Sequence, residues 1–439
     1  MPRVGLYTLG CKVSLYETEA ISEAFLAARC EICPFDSVCD VYVINTCTVT
    51  AESDAKSRKY IRRALRSNPN AVVIVIGCYS QRAPDEVAAI EGVSAVIGTE
   101  NKLSAVPIAL KLLSEREAYN TKLNRVEISV TDLHSAKFEP MCVKNAPRTR
   151  AYVKIEDGCE CKCSYCAISA ARGPVRSKRP LQVVEEVEGL YKNGTLEIVL
   201  TGIETGSYGA DFDEKFDLAD LICLLDERHS CQRIRLGSMA PELLSTGFID
   251  RIHDKQIMVP HFHISMQSGS DKVLRTMRRR YNRAIALKNI EHIRSLMPGV
   301  MLTADLMVGF PGETEEDFLD TVRFVSEANL LDAHVFAYSK RDGTPAAEYE
   351  NQISEEVKKA RSSALIAECA RVRNKILTDA VDSGDRLSCI VESKKDGYYT
   401  AHSDSYIEVR IKSEDNLSGL LVSVKPLYAK NGVIYGEID

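Results

Sequence analysis

Gly158-Cys159-Glu160-Cys161-Lys162-Cys163-Ser164-Tyr165-Cys166 is the stretch on which the reading of this chain turns. Cys159, Cys163 and Cys166 stand in a C-x3-C-x2-C spacing on one short loop. Three thiolates this close can fold around a single iron–sulfur cube. Three ligands for four irons leave one iron open to bind and activate a small molecule. The same spacing also suits a zinc knuckle or a disulfide cluster. Zinc sites usually show two separated ligand pairs, and no matching second pair lies nearby. Cys161 is a further thiol that could take a neighbour's place as ligand.

The 439 residues around this loop suffice for about three domains. Hydrophobic residues make up 45% and charged residues 27%, an ordinary globular balance. No apolar run reaches the length of about 18 residues that a membrane span needs. Met1-Pro2-Arg3-Val4-Gly5-Leu6-Tyr7 lacks the apolar core of an export signal, so a cytoplasmic protein with no membrane partner is expected. Fifteen cysteines in such a chain point to reduced thiols and metal chemistry, not disulfides. The net charge of −6 argues against indiscriminate nucleic-acid binding but allows a local basic patch. Arg62-Arg63, Arg172 to Arg179 and Arg278-Arg279-Arg280 are basic clusters of the kind most often found on solvated faces.

The first 120 residues alternate strands and helices, which predicts an open parallel α/β domain. Strands are expected at 4–8, 41–45 and 71–77, with helices at 14–28 and 51–66. Cys11, Cys47 and Cys78 each fall just past the carboxyl end of one of these strands. Ligands of open α/β sheets bind at that edge. The three thiols can therefore meet around a second cluster, although cysteine is also common at buried strand ends. Cys30, Cys33 and Cys39 show no fourth partner and read as core residues.

From about 145 to 377, six strand–helix units predict a partial (β/α)6 barrel, with its active site at the carboxyl ends of the strands. Those ends carry Thr201-Gly202-Ile203-Glu204-Thr205-Gly206, Ser265-Met266-Gln267-Ser268-Gly269-Ser270 and Gly309-Phe310-Pro311-Gly312-Glu313-Thr314, with Asp305 inside the fifth strand. Glycine there allows close backbone approach to a ligand or a tight turn. A long helix is expected from 354 to 377, ending near Ser383-Gly384. Short β-like runs at 387–392, 407–411, 421–426 and 433–437 then predict a small β-barrel over 378–439. Tyr398, Tyr399, His402 and Tyr406 offer aromatic faces for bases.

The cysteine loop, with an aromatic residue before its last cysteine, resembles the radical S-adenosylmethionine (SAM) superfamily. Thr8-Leu9-Gly10-Cys11-Lys12-Val13, Asn45-Thr46-Cys47-Thr48-Val49-Thr50 and Gly77-Cys78 resemble the N-terminal domain of the methylthiotransferases. Arg172-Gly173-Pro174-Val175-Arg176-Ser177 and Tyr338-Ser339-Lys340-Arg341-Asp342-Gly343-Thr344 are similar to the core of the same family. The C-terminal barrel resembles the RNA-binding TRAM domain. The resemblance implies two [4Fe–4S] clusters, one on Cys159, Cys163 and Cys166 that binds SAM, and an auxiliary one on Cys11, Cys47 and Cys78. It implies SAM contacts at Tyr165, Gly202, Glu204, Gln267 and Asp305. RNA contacts are expected at Arg172, Arg176, Tyr398, His402 and Tyr406. Three places depart from the family's usual pattern: Ser14 replaces Asn, Glu204 replaces His or Gln, and Gly237-Ser238-Met239-Ala240-Pro241 lacks the Glu before Pro.

The activity implied is replacement of a C–H by C–S–CH3 at C2 of an adenosine in tRNA. An aromatic C–H is too inert for acid–base chemistry, so a cofactor must carry the radical step. The base must be splayed from the anticodon loop to reach it. The resemblance is greatest to the branch acting on N6-threonylcarbamoyladenosine at position 37 of tRNAs reading codons that begin with A. The carboxylate and hydroxyl of that substrate call for cationic or polar donors, with Arg172, Arg176 and Lys340 as candidates. Expected partners are a tRNA anticodon loop, an electron donor such as flavodoxin or ferredoxin, and a sulfur source. The alternatives are the same chemistry on isopentenyladenosine-37 or on a ribosomal protein, or a cluster-bearing RNA-binding protein without turnover.

Overall fold

The computed structural model describes residues 1–119, 125–146 and 149–438; residue 120, the expected end of the first domain, lies outside them. Val72–Gly77 and Val41–Thr46 are buried along their whole length. A strand covered on both faces must be a near-continuous apolar run, and only a parallel sheet with helices on each side provides such a place. Ile74 and Ile76 pack with Val41 and Val43 against the helix faces of Lys12–Ala27 and Ala105–Tyr119. Val73 and Val75 alternate to the other face, with Tyr42, Ile44 and the Ile61 and Ala64 side chains of helix Ala51–Ser67. The sheet has six parallel strands in the order Glu31–Cys33, Arg3–Thr8, Val41–Thr46, Val72–Gly77, Ala95–Ile97 and Glu127–Ser129. Cys30, Cys33 and Cys39 are core residues of this domain.

The middle of the chain forms the expected crescent of parallel strands. Arg150–Lys154, Glu197–Thr201 and Arg233–Leu236 make one sheet, and Ser238–Met239, His261–Gln267, Met301–Val308 and Asp332–Ala337 the next. Gly237 joins them, and a Cβ there would press on Thr205 Oγ1 at 2.7 Å. Ile198, Leu200, Ile234, Leu236, Ile264, Leu302, Ala304 and Leu306 belong to the apolar core beneath the helices. The period of two sends their polar neighbours Glu197, Arg235, His263, Thr303 and Asp305 to the opposite face, the lumen.

Helix Glu355–Ser383 is capped by Ser354 at its start and by Gly384, at φ 68°, at its end. It packs on strand Asp332–Ala337 and on strand Leu421–Lys430 of the last domain. The boundary expected at 377/378 therefore falls inside one continuous helix. The last domain is a closed barrel of five strands, Leu387–Lys395, Tyr398–Ser403, Glu408–Ile411, Val433–Ile438 and Leu421–Lys430. Sequence reading gave four. The added strand is Tyr398–Ser403, in which Tyr399, expected to face a base, and Ala401 alternate into the barrel core.

Two ionic knots lock the N-terminal sheet to the barrel. Arg172, fully buried, donates to Glu17 Oε1 at 2.6 Å and Asp157 Oδ2 at 3.2 Å. Lys154 bridges the same two carboxylates at 3.1 and 2.9 Å, and Lys102 reaches Glu17 at 3.1 Å. In the second knot, Arg341 and Arg82 share Asp54 Oδ2 at 2.6 and 3.3 Å, and both donate to Thr48 Oγ1. Removing one partner of a buried pair leaves uncompensated charge and costs about 3–5 kcal/mol. Glu17→Ala should lower unfolding stability of the metal-free protein by that order. Glu315→Ala removes a carboxylate that is 70% exposed beside Arg361 and should change stability by about 0–1 kcal/mol. Urea or thermal unfolding of the two variants side by side checks the contrast.

Candidate active site

The cysteine loop is fixed from several sides. Gly158 stands at φ 94°, where a Cβ would collide with the Pro174 carbonyl. The Cys159 amide donates to Gly173 O at 3.0 Å. Ser164 donates through its amide to Met277 O and through its hydroxyl to Thr276 O. Tyr165 packs edge-on to Phe310, in a cluster with Val273, Met277 and Tyr338. Arg279 donates to Cys163 Sγ at 3.3 Å while its other nitrogens hold Ser265 O and Tyr281 Oη. Sequence reading treated Arg278-Arg279-Arg280 as a solvated run and missed this contact. Cys161 lies against Cys159, and the hydrogen bond between the two thiols lowers Cys161.

The second triad gathers at the carboxyl edge of the first sheet. Gly10, at φ 122°, leaves a space that a Cβ would close on Cys47 Cβ at 3.3 Å. Cys11 and Cys47 lie near enough to Cys78 that a negative charge on either would raise its thiol. The Arg172 Nε donates to Cys78 Sγ at 3.2 Å. Around it, the cations Arg172, Lys102, Lys154 and Arg176 face only two carboxylates, Glu17 and Asp157. Burial lowers Lys102, with Glu17 opposing, and Arg172, Lys154 and Arg176 by themselves outnumber the two carboxylates. That buried excess of positive charge lies beside Cys78, where a thiolate-ligated cluster would carry negative charge.

The donor sets fit iron–sulfur clusters. Burial pushes the free thiols of Cys78 and Cys166 up to about 11, so these positions become anionic only when a metal displaces the proton. Backbone amides of Val49 and Ile168 already point at Cys47 Sγ and Cys166 Sγ, at 3.5 and 3.4 Å. Among the described residues no three His, Cys, Asp or Glu side chains converge on the position of a single metal ion.

A cavity of about 620 Å3 opens below Cys11. Its walls include Lys12, Gly202, Ser238, His263, Thr303, Asp305 and His334, and Tyr406 from the terminal barrel reaches it as well. Gly202 packs so closely on the Glu156 carboxylate that a Cβ would collide with it. Asp305 accepts from His263 at 3.1 Å and His334 at 3.2 Å. Burial raises its carboxyl, but the two histidines outweigh this and hold it well below the usual carboxylate range. The hydrogen bond to Asp305 in turn raises His334. Glu204 is buried near the loop, its carboxyl pushed up to about 8 by burial and by the charge of Cys161. Gln267 ends its strand at φ 66°, mostly buried.

Several expected RNA contacts lie elsewhere. Arg172 and Arg176 are interior, held by Glu17, Asp157 and backbone carbonyls, so neither presents a face to a phosphate backbone or to the substrate pocket. Lys340 is exposed but does not line the cavity. Tyr406, at φ 72°, stacks on His261 at 4.6 Å, with the Arg235 and Arg150 guanidiniums over its ring. His402 accompanies it, bonded to Glu392 at 2.9 Å. Both stand at the seam of the two barrels. Of the expected tyrosines, Tyr398 reaches an outer aromatic row, edge-on to Tyr435, which stacks on the exposed Tyr428.

A parallel barrel crescent with this loop at its strand ends defines a radical SAM protein, and residues 153–325 match the radical SAM superfamily model. Residues 3–98 match a second model, described as uncharacterized protein family UPF0004. The chain belongs to the radical SAM tRNA methylthiotransferases. It is 38% identical to the threonylcarbamoyladenosine tRNA methylthiotransferase MtaB of Bacillus subtilis, over 100% of this chain and 96% of that one. The Thermotoga maritima protein of the same name is 34% identical over 83% of this chain and 81% of that one. A tRNA-2-methylthio-N(6)-dimethylallyladenosine synthase of Methylacidiphilum infernorum is 33% identical, covering 90% and 85%. Among solved structures, the radical SAM methyltransferase TsrM from Kitasatospora setae shares the fold, with a TM-score of 0.57, 16% identity and coverage of 79% and 77%. Enzymes of this superfamily use SAM and a [4Fe–4S] cluster.

A hydrogen bond to a cluster sulfur stabilises the reduced, more negative state and raises its potential. Replacing Arg279 by Met should lower the midpoint of the cluster on the Cys159 loop by about 60 mV, the one-electron equivalent of a bond worth roughly 1.4 kcal/mol. A cluster formed on Cys11, Cys47 and Cys78 should not move. An EPR-monitored redox titration of the reconstituted protein reads both midpoints.

Proposed function

We propose that this protein converts N6-threonylcarbamoyladenosine at position 37 of tRNA into its 2-methylthio derivative. The observation that carries the reading is one cavity bordered by Cys11 of the auxiliary triad and by the lumen face of the radical SAM barrel. When bound, the two clusters and SAM would supply the radical chemistry and the sulfur that an inert aromatic C–H requires. Cys159, Cys163 and Cys166 would hold the SAM-binding cluster, and Cys11, Cys47 and Cys78 the auxiliary one. Tyr165, Gly202, Glu204, Gln267 and Asp305 would contact SAM, and Gly202 and Asp305 also line the cavity below Cys11.

The chain's own residues do the rest. The knots at Glu17 and Asp54 hold Cys78 and Cys47 over the barrel mouth. Tyr406 and the Arg235–Glu197 pair line the far side of the lumen. The exposed face of the terminal barrel, with Tyr428, Tyr435 and Tyr398 beside Lys425, offers stacking and charge to an RNA. The protein would act in the cytoplasm, with a flavodoxin- or ferredoxin-type electron donor and a separate sulfur source. No helix among the described residues is long and apolar enough to cross a membrane.

Relatives at 38% and 34% identity carry the threonylcarbamoyladenosine name, and a dimethylallyladenosine enzyme reaches 33%. A polar, ion-lined lumen suits the former substrate, whereas an isopentenyl group asks for an apolar one. Nucleosides from tRNA of a deletion strain, separated by mass spectrometry, should lack 2-methylthio-threonylcarbamoyladenosine and keep 2-methylthio-isopentenyladenosine. The reverse loss would place the protein in the other branch.

A further inference from the structure

Among the described charged side chains that line the cavity below Cys11, only Lys12 has no ion pair. Arg235 forms a two-pronged pair with Glu197 at 2.9 and 3.0 Å. Arg150 lies between Glu197 and Glu392, at 3.0 Å from each. Asp305 is taken by His263 and His334. Lys12 lines the same cavity, and among the described residues no carboxylate pairs with it. Water still reaches it through the open mouth. The Arg235 and Arg150 guanidiniums and the Asp305 carboxylate lie near enough to act on its charge. An unpaired cation held among other cations gains most from an anion that enters the cavity.

Lys12 also stands one residue from Cys11. In adenine, C2 and the C6 that carries N6 flank the same ring nitrogen, N1. When C2 faces the triad of Cys11, the N6 substituent lies on the neighbouring edge, within the sweep of a lysine side chain beside that cysteine.

We propose that Lys12 binds the carboxylate of the threonylcarbamoyl group and so selects the modified base. The inference rests on the substrate reading above and adds the residue that recognises the substrate. It assigns this role to Lys12 in place of Arg172, Arg176 and Lys340, which stand outside the cavity lining. A charge-assisted hydrogen bond of this kind is worth about tenfold to a hundredfold in affinity.

The test uses the full-length protein reconstituted anaerobically, with binding read by fluorescence anisotropy. The probes are three anticodon stem-loop RNAs. One carries threonylcarbamoyladenosine, one the same nucleoside with its carboxylate converted to a carboxamide, and one plain adenosine. The wild-type protein should bind the first at least tenfold more tightly than the other two. Lys12→Met and Lys12→Gln should bind all three alike, with iron content equal to wild type, and Lys12→Arg should restore the preference. A neutral variant that keeps the preference for the carboxylate overturns the role of Lys12 while the substrate reading stands. A wild-type protein that does not distinguish threonylcarbamoyladenosine from adenosine overturns both.

Discussion

The Arg172 guanidinium is the contact on which the rest depends. It lies between Glu17 of the first domain and Asp157 of the barrel, and its Nε touches Cys78. One side chain thus joins two folded units and a candidate cluster ligand. Burying such a group is costly, and a well-packed apolar substitute could often match its stability. What an apolar substitute cannot supply is direction. The fork fixes how the sheet edge bearing Cys11, Cys47 and Cys78 sits over the barrel mouth, and it leaves positive charge where an anionic cluster would be.

The barrel follows the same logic. Its outward residues are aliphatic and stabilise the fold, and its inward residues are ionic and contribute little net stability. That division results from strand alternation alone. A lumen filled with pairs is selective, because an incoming group is welcome only where a charge is left over. The last domain completes the enclosure by placing Tyr406 against His261, Arg150 and Arg235. It therefore shapes the active site as well as offering an outer face to RNA.

Much of this was legible in the sequence. The three strand-end cysteines and the C-x3-C-x2-C loop needed only the placement of strands, and apolar runs such as Val72–Gly77 mark those strands clearly. Strands Glu31–Cys33 and Glu127–Ser129 were missed because three residues carry no period. Arg172 and Arg176 were misplaced because a basic run reads the same whether it meets solvent or buried carboxylates. Here the partners, Glu17 and Asp157, are separated from Arg172 by 155 and 15 residues. Arg279 was overlooked for the same reason. Lys12 stood in plain view beside Cys11, but its lack of a counter-ion is a property of the folded lumen.

The central proposal is that the Arg172 knot would hold an auxiliary cluster on Cys11, Cys47 and Cys78 rigidly relative to the cluster of the Cys159 loop, close enough for both to border one cavity. The most direct measurement is the distance between them, by pulsed EPR on the protein with both clusters reduced. A single narrow distance, unchanged when RNA binds and broadened in Glu17→Ala, is the expected result. A broad distribution in the wild type, or a distance too long for both clusters to border one cavity, would contradict it.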